Sequence, residues 1–332
     1  MMENQEQNAM QPLRETLDLG PTLEMLNAVQ EECHKVLVGQ QELIDLLLIA
    51  MLADGHILLE GVPGIAKTLS AKVMARVIDT GFSRIQFTPD LMPSDIIGTS
   101  IYDLKSSEFV FKKGPIFSNI ILIDEINRAP AKTQSALFEV MEEKQITFDG
   151  QTLEMEMPFM VIATQNPIEQ EGTYRLPEGQ LDRFLMKVNL GYPSADDELQ
   201  ILKRFKDQMH RVDLSQVKKV LNRSDLIKMQ ETLKRIFIED QMLNYISEIV
   251  QETRNHAQIY LGASPRAALA ILKSSKVAAL IAGRDFVIPD DIQAVMPHVL
   301  NHRLILTPVA EMENITTLDI IDDIIRTIEV PR

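Results

Sequence analysis

A short apolar run, Ile57-Leu58-Leu59, leads into GVPGIAKT, Gly61 to Thr68, and apolar spacing of a different kind begins at the lysine. No other stretch restricts the fold as much. Val73, Met74, Val77 and Ile78 recur at the interval that lines one face of a helix, so a helix is predicted to open at Lys67. A strand that turns through glycine and proline into a helix aims backbone N–H groups and the positive helix end at one point. That makes an anion cradle. The general phosphate-loop pattern is G-x-x-x-x-G-K-[ST], but here the residue before the lysine is Ala66. The stretch is therefore either a nucleotide site with one added methyl group, or an ordinary strand-turn-helix ending in Lys-Thr. As a nucleotide site it would carry Lys67 to the β- and γ-phosphates and the Thr68 hydroxyl to Mg²⁺.

The chain beyond the loop favours a parallel sheet. Strands are predicted at Arg84 to Phe87, Ile120 to Ile123, Met160 to Ala163 and Lys187 to Leu190, with helical patterns between them. Such alternation implies a sheet covered on both faces. Residues 146–157 change to period two around an Asp149-Gly150 turn, which predicts a β-hairpin inserted in this order. A second extended pair is predicted at Ile101-Tyr102 and Phe109-Val110-Phe111. After GYPSADDE, residues 191–198, nearly everything is helical, with helix starts at Ser264-Pro265 and Pro289-Asp290-Asp291. The domain boundary is expected near Pro193.

Four further stretches carry chemistry. IILIDEINRAP brings Asp124 and Glu125 to the carboxyl end of a buried strand, where open α/β sheets bind ligands. Adjacent carboxylates there suit a division in which Asp124 holds the hydration shell of Mg²⁺ and Glu125 polarises water. In IATQNP, Asn166 is either a water-orienting amide at a γ-phosphate or a plain turn residue before Pro167. In LPEGQLDRFL, Arg183 stands among Leu181, Phe184 and Leu185. It is either paired with Asp182 or Glu178, or an arginine finger for a phosphate on a neighbouring subunit. Arg266, at a helix start in GASPRAALA, faces either a ligand or solvent.

Composition narrows the classes. Forty-eight acidic against thirty-three basic residues in 332 give a formal net charge of −15. Such a chain gains little from counterion release, so a nucleic-acid partner is not expected. One cysteine, Cys33, excludes an intramolecular disulfide and a cysteine-held metal, and it suits a small buried apolar position. His298 and His302 are four apart on a predicted helix, but no glutamate follows His298, which favours coincidence over a metal site. The polar start lacks an apolar core, and Leu43 to Leu52 is half the length of a membrane span. No membrane insertion and a cytoplasmic location are expected.

Together these stretches resemble an AAA+ ATPase, and more closely a member of the MoxR family, from roughly Val36 to the C-terminus. GVPGIAKT, DLMPSDIIGT with GPIF, DEINRAPAKTQSALFEVMEE, ATQNP, YRLPEGQLDRF and GASPRA carry the resemblance. MoxR loops have alanine before the lysine as a rule, so Ala66 matches the family. The resemblance implies an α/β fold: a polar segment 1–22, a three-layer αβα P-loop domain with a parallel sheet over 23–192, and an all-helical lid domain over 193–332. A helix-2 insert would lie near 93–111 and the hairpin near 146–157. It further implies ATP and Mg²⁺ as ligands. The nucleotide would touch Gly61, Val62, Pro63, Gly64, Ile65, Ala66, Lys67, Thr68 and Leu69, with Val38, Gly39 and Gln40 near the adenine. Mg²⁺ would be held by Thr68 and, through water, by Asp124. Asp124 and Glu125 would be Walker B, Asn166 sensor 1, Arg183 the finger and Arg266 sensor 2. Family members form hexameric rings and act as chaperones on protein clients, with von Willebrand factor A-domain partners. The function expected is an ATP-hydrolysing remodelling machine. The alternatives are a ring motor of the chelatase or nucleic-acid translocase class, and a nucleotide-gated scaffold with little turnover.

Overall fold

The computed structural model describes residues 16–62, 67–105, 107–148, 150–166, 174–206 and 214–331. Pro63, Gly64, Ile65 and Ala66, expected in the cradle, lie outside the described residues, as do Asp149 of the hairpin turn and Pro167. Two helices come first, α1 (Gly20–His34) and α2 (Gln41–Leu52). Leu19 is already buried, so packed chain begins before residue 23. The apolar run Leu43 to Leu52 is the body of α2, buried at nearly every position, and so a core helix.

The sheet region then runs β1 (Ile57–Gly61), α3 (Lys67–Val77), β2 (Phe82–Gln86), α4 (Pro93–Ile97), β3 (Gly98–Asp103), β4 (Glu108–Lys113), β5 (Ile120–Asp124) and α5 (Ala131–Glu143). It continues through β6 (Gln145–Phe148), β7 (Gln151–Glu154), β8 (Met160–Gln165), α6 (Glu178–Leu181) and β9 (Met186–Leu190). β3–β4 and β6–β7 are separate antiparallel hairpins, at the two predicted places, although the first extends two residues beyond Phe111. Five strands form the parallel sheet in the order β2-β5-β8-β1-β9. Period-two geometry divides β5 between two cores. Ile120 and Leu122 pack with α2 and α3, while Ile121 and Ile123 pack with Phe138 of α5 and Phe184. All four are fully buried, and each such side chain contributes roughly 1.5–3 kcal/mol. This order sets the carboxyl ends of β5, β8 and β1 side by side, with β8 in the middle.

The remainder is α7 (Ala195–Phe205), α8 (Arg223–Arg235), α9 (Asp240–Asn255), β10 (Ile259–Leu261), α10 (Pro265–Ile281), α11 (Pro289–Leu300), β11 (Ile305–Leu306), α12 (Pro308–Met312) and α13 (Thr317–Thr327). Its helix starts follow sequence chemistry. Ser264 accepts from the Arg266 N–H ahead of Pro265, and Asn222 with Asp225 closes a reciprocal capping box. Where an all-helical lid was expected, the described residues of this region also hold the isolated bridge Phe237–Phe286 and β10–β11, a short antiparallel pair. There two connecting segments run side by side with Ile259 and Leu306 buried, and pairing satisfies their backbone groups. The core reaching Ile271 and Ile321 is continuous with that behind β1 and α3. Cys33 lies inside it against Met74, and burial pushes its thiol up to about 12.

Candidate active site

β1 delivers Gly61 to the carboxyl edge of the sheet, and beyond residues 63–66, which lie outside the described residues, Lys67 is already in α3. Lys67 Nζ donates to the Gly61 carbonyl at 2.6 Å. Burial lowers the Lys67 ammonium from its ordinary range, opposed by the negative charges of Asp124, Glu125 and Glu60. The lysine of one strand-turn-helix thus faces the acidic pair at the end of another strand.

That pair is held by neighbours that sequence order does not reveal. Thr164, on β8, is buried, and its hydroxyl donates to Asp124 Oδ1 at 3.2 Å while accepting from the Glu125 N–H at 3.0 Å. Arg84 Nε contacts the other Asp124 oxygen at 2.5 Å. Glu125 sits in the left-handed region with φ +58°, a conformation that costs a non-glycine residue of order 1 kcal/mol. Its Oε2 accepts from Gln86 Nε2 at 3.0 Å and pairs with Arg128 Nε at 2.7 Å. Asn166 is buried just past β8. Since Glu60 of β1 is in register with Gln165, Asn166 lies between the Gly61 turn and the acidic pair.

Val38, Gly39 and Gln40 precede α2 on the loop side of the sheet. The Ser70 hydroxyl of α3 donates to Gln40 Oε1 at 3.3 Å. Gly39 has φ +65°, and a Cβ there would overlap the Asp197 carboxylate of α7. Glycine is therefore required where these three residues pass between α3 and the helical region.

Arg183 and Arg266 are brought together, but not here. Arg183 precedes β9, whose Met186 is in register with Ile57 at the start of β1, and the Leu185 N–H donates to the His56 carbonyl at 2.8 Å. It therefore lies at the amino edge. The five residues of β1 alone separate that edge from Gly61 by about 13 Å at ~3.3 Å per residue. The ion-pair partners expected for Arg183, Asp182 and Glu178, are not its partners. Arg183 Nη1 contacts Glu142 Oε2 at 2.9 Å and donates to the Phe138 carbonyl at 3.1 Å. Arg266 Nη2 meets the other Glu142 oxygen at 2.7 Å, so Arg266 is half-exposed yet paired.

Asp182 is instead taken by Ser264 Oγ at 2.9 Å and Arg303 Nε at 2.8 Å. Burial lowers Arg303 from its ordinary range, and the bond to Asp182 opposes this. Arg303 also donates to the carbonyls of Phe184 at 2.7 Å and Leu185 at 3.1 Å. His302 Nε2 bonds the Phe184 carbonyl at 3.1 Å, and Asn301 Nδ2 the Lys187 carbonyl at 3.1 Å. Three successive residues after α11 thus grip the segment that carries Arg183. His298 goes elsewhere, to Glu42 Oε1 at 3.3 Å, so the two histidines share no centre.

Thr164, Arg84, Gln86, Arg128, Glu142 and Arg303 were not singled out by sequence. Thr164 falls within a motif that was, IATQNP, and Arg128 and Glu142 within another, the long DEINRAP block. For Arg303 no local pattern existed.

The parallel sheet, the strand-loop-helix with its lysine and the Asp-Glu strand beside it define an ATPase of the AAA class. In agreement, residues 56–186 match the ATPase family associated with various cellular activities (AAA), and residues 251–324 match the AAA lid domain. The chain is 46% identical over 310 residues to chaperone MoxR1 of Mycobacterium tuberculosis, covering 91% of this chain and 81% of that one. It is also 46% identical over 314 residues to the uncharacterized protein YeaC of Bacillus subtilis, with 95% and 96% coverage. A crystal structure of a Cytophaga hutchinsonii protein, 44% identical, superposes with a TM-score of 0.88 over 95% of this chain and 97% of that one. The chain belongs to the MoxR family of AAA+ ATPases. Among the described residues, no helix is long and apolar enough to cross a membrane.

Proposed function

We propose that this chain hydrolyses ATP at the carboxyl edge of its sheet, in an assembly where the next copy completes each site, and that it uses the turnover to remodel protein partners. One observation carries the proposal: Lys67, Asp124, Glu125 and Asn166 gather at one edge, while Arg183 and Arg266 gather at the other. An extended arginine reaches roughly half the distance between the edges. Two arginines that cannot meet their own chain's phosphates suit a neighbour's.

A half-buried ammonium, a helix start with Thr68 beside it and two carboxylates fit a magnesium-bound triphosphate by their chemistry. In this assignment Gly61 to Leu69 cradles the phosphates and Val38, Gly39 and Gln40 border the base. Thr68, and Asp124 through water, would hold Mg²⁺, which when bound neutralises phosphate charge. Lys67 gives up the Gly61 carbonyl for the phosphates. Glu125 accepts a proton from the attacking water, and Asn166 orients that water. Arg183 and Arg266 of the next copy stabilise charge developing on the transferred phosphoryl group.

A ring, hexameric by family resemblance, places every arginine pair at a neighbour's site. The chaperone name of the Mycobacterium tuberculosis relative supports a protein client, and the family supports a von Willebrand factor A-domain partner and a cytoplasmic location. The test uses two variants. Lys67→Ala should lose binding of a fluorescent ATP analogue, while Glu125→Gln should bind it and turn over at least a hundredfold more slowly. Hydrolysis at the normal rate by Glu125→Gln would overturn the assignment.

A further inference from the structure

The two arginines are not independent of each other. Glu142, in the last turn of α5, gives one carboxylate oxygen to each: Oε2 to Arg183 Nη1 at 2.9 Å and Oε1 to Arg266 Nη2 at 2.7 Å. We propose that Glu142 is a positioning residue for hydrolysis, bridging Arg183 and Arg266 into one unit whose guanidinium groups the phosphates of a neighbouring copy engage. This rests on the proposed donation of both arginines to the next copy.

Charge is the first reason. Two guanidinium groups brought together repel, and the shared carboxylate makes their proximity stable. The fork geometry of a guanidinium also fixes its plane when it is hydrogen-bonded to a carboxylate. Arg183 has a second hold from α5, at the Phe138 carbonyl one turn earlier. Among the described residues its buried Nε has no hydrogen-bond partner, so Glu142 and Phe138 orient the group through its far end. Among the described residues, the other acid near Arg266 is the more distant Asp182, at 3.9 Å.

The end of α5 is itself anchored. His56, fully buried, donates from Nε2 to the Met141 carbonyl at 3.1 Å and accepts at Nδ1 from the Val161 N–H at 3.0 Å. The helix closes on Lys144 in the left-handed region, whose N–H donates to the Val140 carbonyl at 2.9 Å. Glu142 is thus held by backbone contacts on both sides of it, on a regular element rather than a loop. Beside it is a cavity of about 230 Å³, bordered by Glu142, Arg183, Arg266, Lys273 and Arg303. It is open, its lining sets five basic side chains against the three acids Asp54, Glu142 and Asp182, and it is large enough to take an anionic group.

The carboxylate is needed in the copy that donates arginines, not in the copy that binds ATP. Glu142→Gln keeps the shape and removes the charge. Its nucleotide affinity and KM should stay within about twofold, since Lys67 lies at the other edge. Its kcat should fall by about tenfold to a hundredfold, the scale of a catalytic group misplaced by ~1 Å. Glu142→Asp should recover part of the loss, because a carboxylate one methylene back can still hold one arginine.

The deciding experiment mixes full-length variants. Glu142→Gln chains bind ATP but present disordered arginines, whereas Lys67→Ala chains lack nucleotide but present ordered ones. Mixed, they should hydrolyse ATP faster than the sum of the two alone, as should Arg183→Ala mixed with Lys67→Ala. Thermal unfolding of Glu142→Gln is measured alongside; if it is lowered by more than a few degrees, Glu142→Asp replaces it in the mixture. A wild-type kcat in Glu142→Gln overturns the proposal. So does failure of the Glu142 mixture when the Arg183 mixture recovers, which would make Glu142 a residue of the fold alone. Failure of both mixtures overturns the donation to a neighbour, and this proposal with it.

Discussion

Thr164→Val removes one oxygen atom and keeps the side-chain shape, so its effect isolates the bridge over the acidic pair. The hydroxyl donates to Asp124 Oδ1 at 3.2 Å and accepts from the Glu125 N–H at 3.0 Å. The first is a charge-assisted bond, worth about 1.5 kcal/mol at the long end of its range. The second, once lost, leaves an amide with no acceptor at a cost of about 1–2 kcal/mol. Asp124 keeps Arg84, so its charge is not stranded. The sum is about 3 kcal/mol. With a urea dependence of ~3 kcal/mol per molar, the unfolding midpoint should fall by about 1 M. Turnover should fall at least tenfold, since Glu125 in its left-handed conformation depends on that N–H anchor, and 1.4 kcal/mol in the barrier is a factor of ten. Thr164→Ser, which keeps the hydroxyl, should stay near wild type in turnover. A Thr164→Val chain that unfolds at the wild-type urea concentration and hydrolyses ATP at the wild-type rate would refute this role for the hydroxyl.

Two further outcomes follow from groups around the sites. Burial takes the His56 imidazole down to about 4, from about 6.5 in an unfolded chain. Its contribution is therefore complete above pH 6.5 and lost as pH falls from there towards 4, on the order of 3 kcal/mol. Burial shifts His302 the same way, so urea midpoints should drop through this window and His56→Gln should make the drop shallower. Gln86→Ala removes one of the two restraints that the described residues place on the Glu125 carboxylate, leaving Arg128. Basal turnover should rise by up to about tenfold; a fall would show that Gln86 supports Glu125 instead of holding it back.

What sequence could reveal followed from range along the chain. Apolar runs and turn residues marked β5, β8 and the two hairpins within a few residues, because burial on both faces leaves a continuous run and a hairpin leaves alternation. β2 is an edge strand with half-exposed Phe82 and Ser83, so its first two residues carried no run to detect. Lys67, Asp124 and Glu125 were legible as motifs, since strand ends and helix starts are local features. Thr164, Gln86 and Arg84 were not, because the strand order β2-β5-β8 brings them to the acidic pair from about forty positions away. The same holds for Arg183. Its local acids suggested a pairing with Asp182 or Glu178, but a distant cation, Arg303, had claimed Asp182. That left Glu142, at the end of a helix 41 positions upstream, as the partner.

In the proposed assembly one chain alone holds an incomplete site. Specific ATPase activity measured against chain concentration tests it most directly, with ATP saturating throughout. The wild-type chain should lose activity per chain on dilution below its assembly range, and Arg183→Ala should be slow at every concentration while still binding ATP. Activity per chain that stays constant on dilution, or an Arg183→Ala chain that turns over normally, would contradict the account.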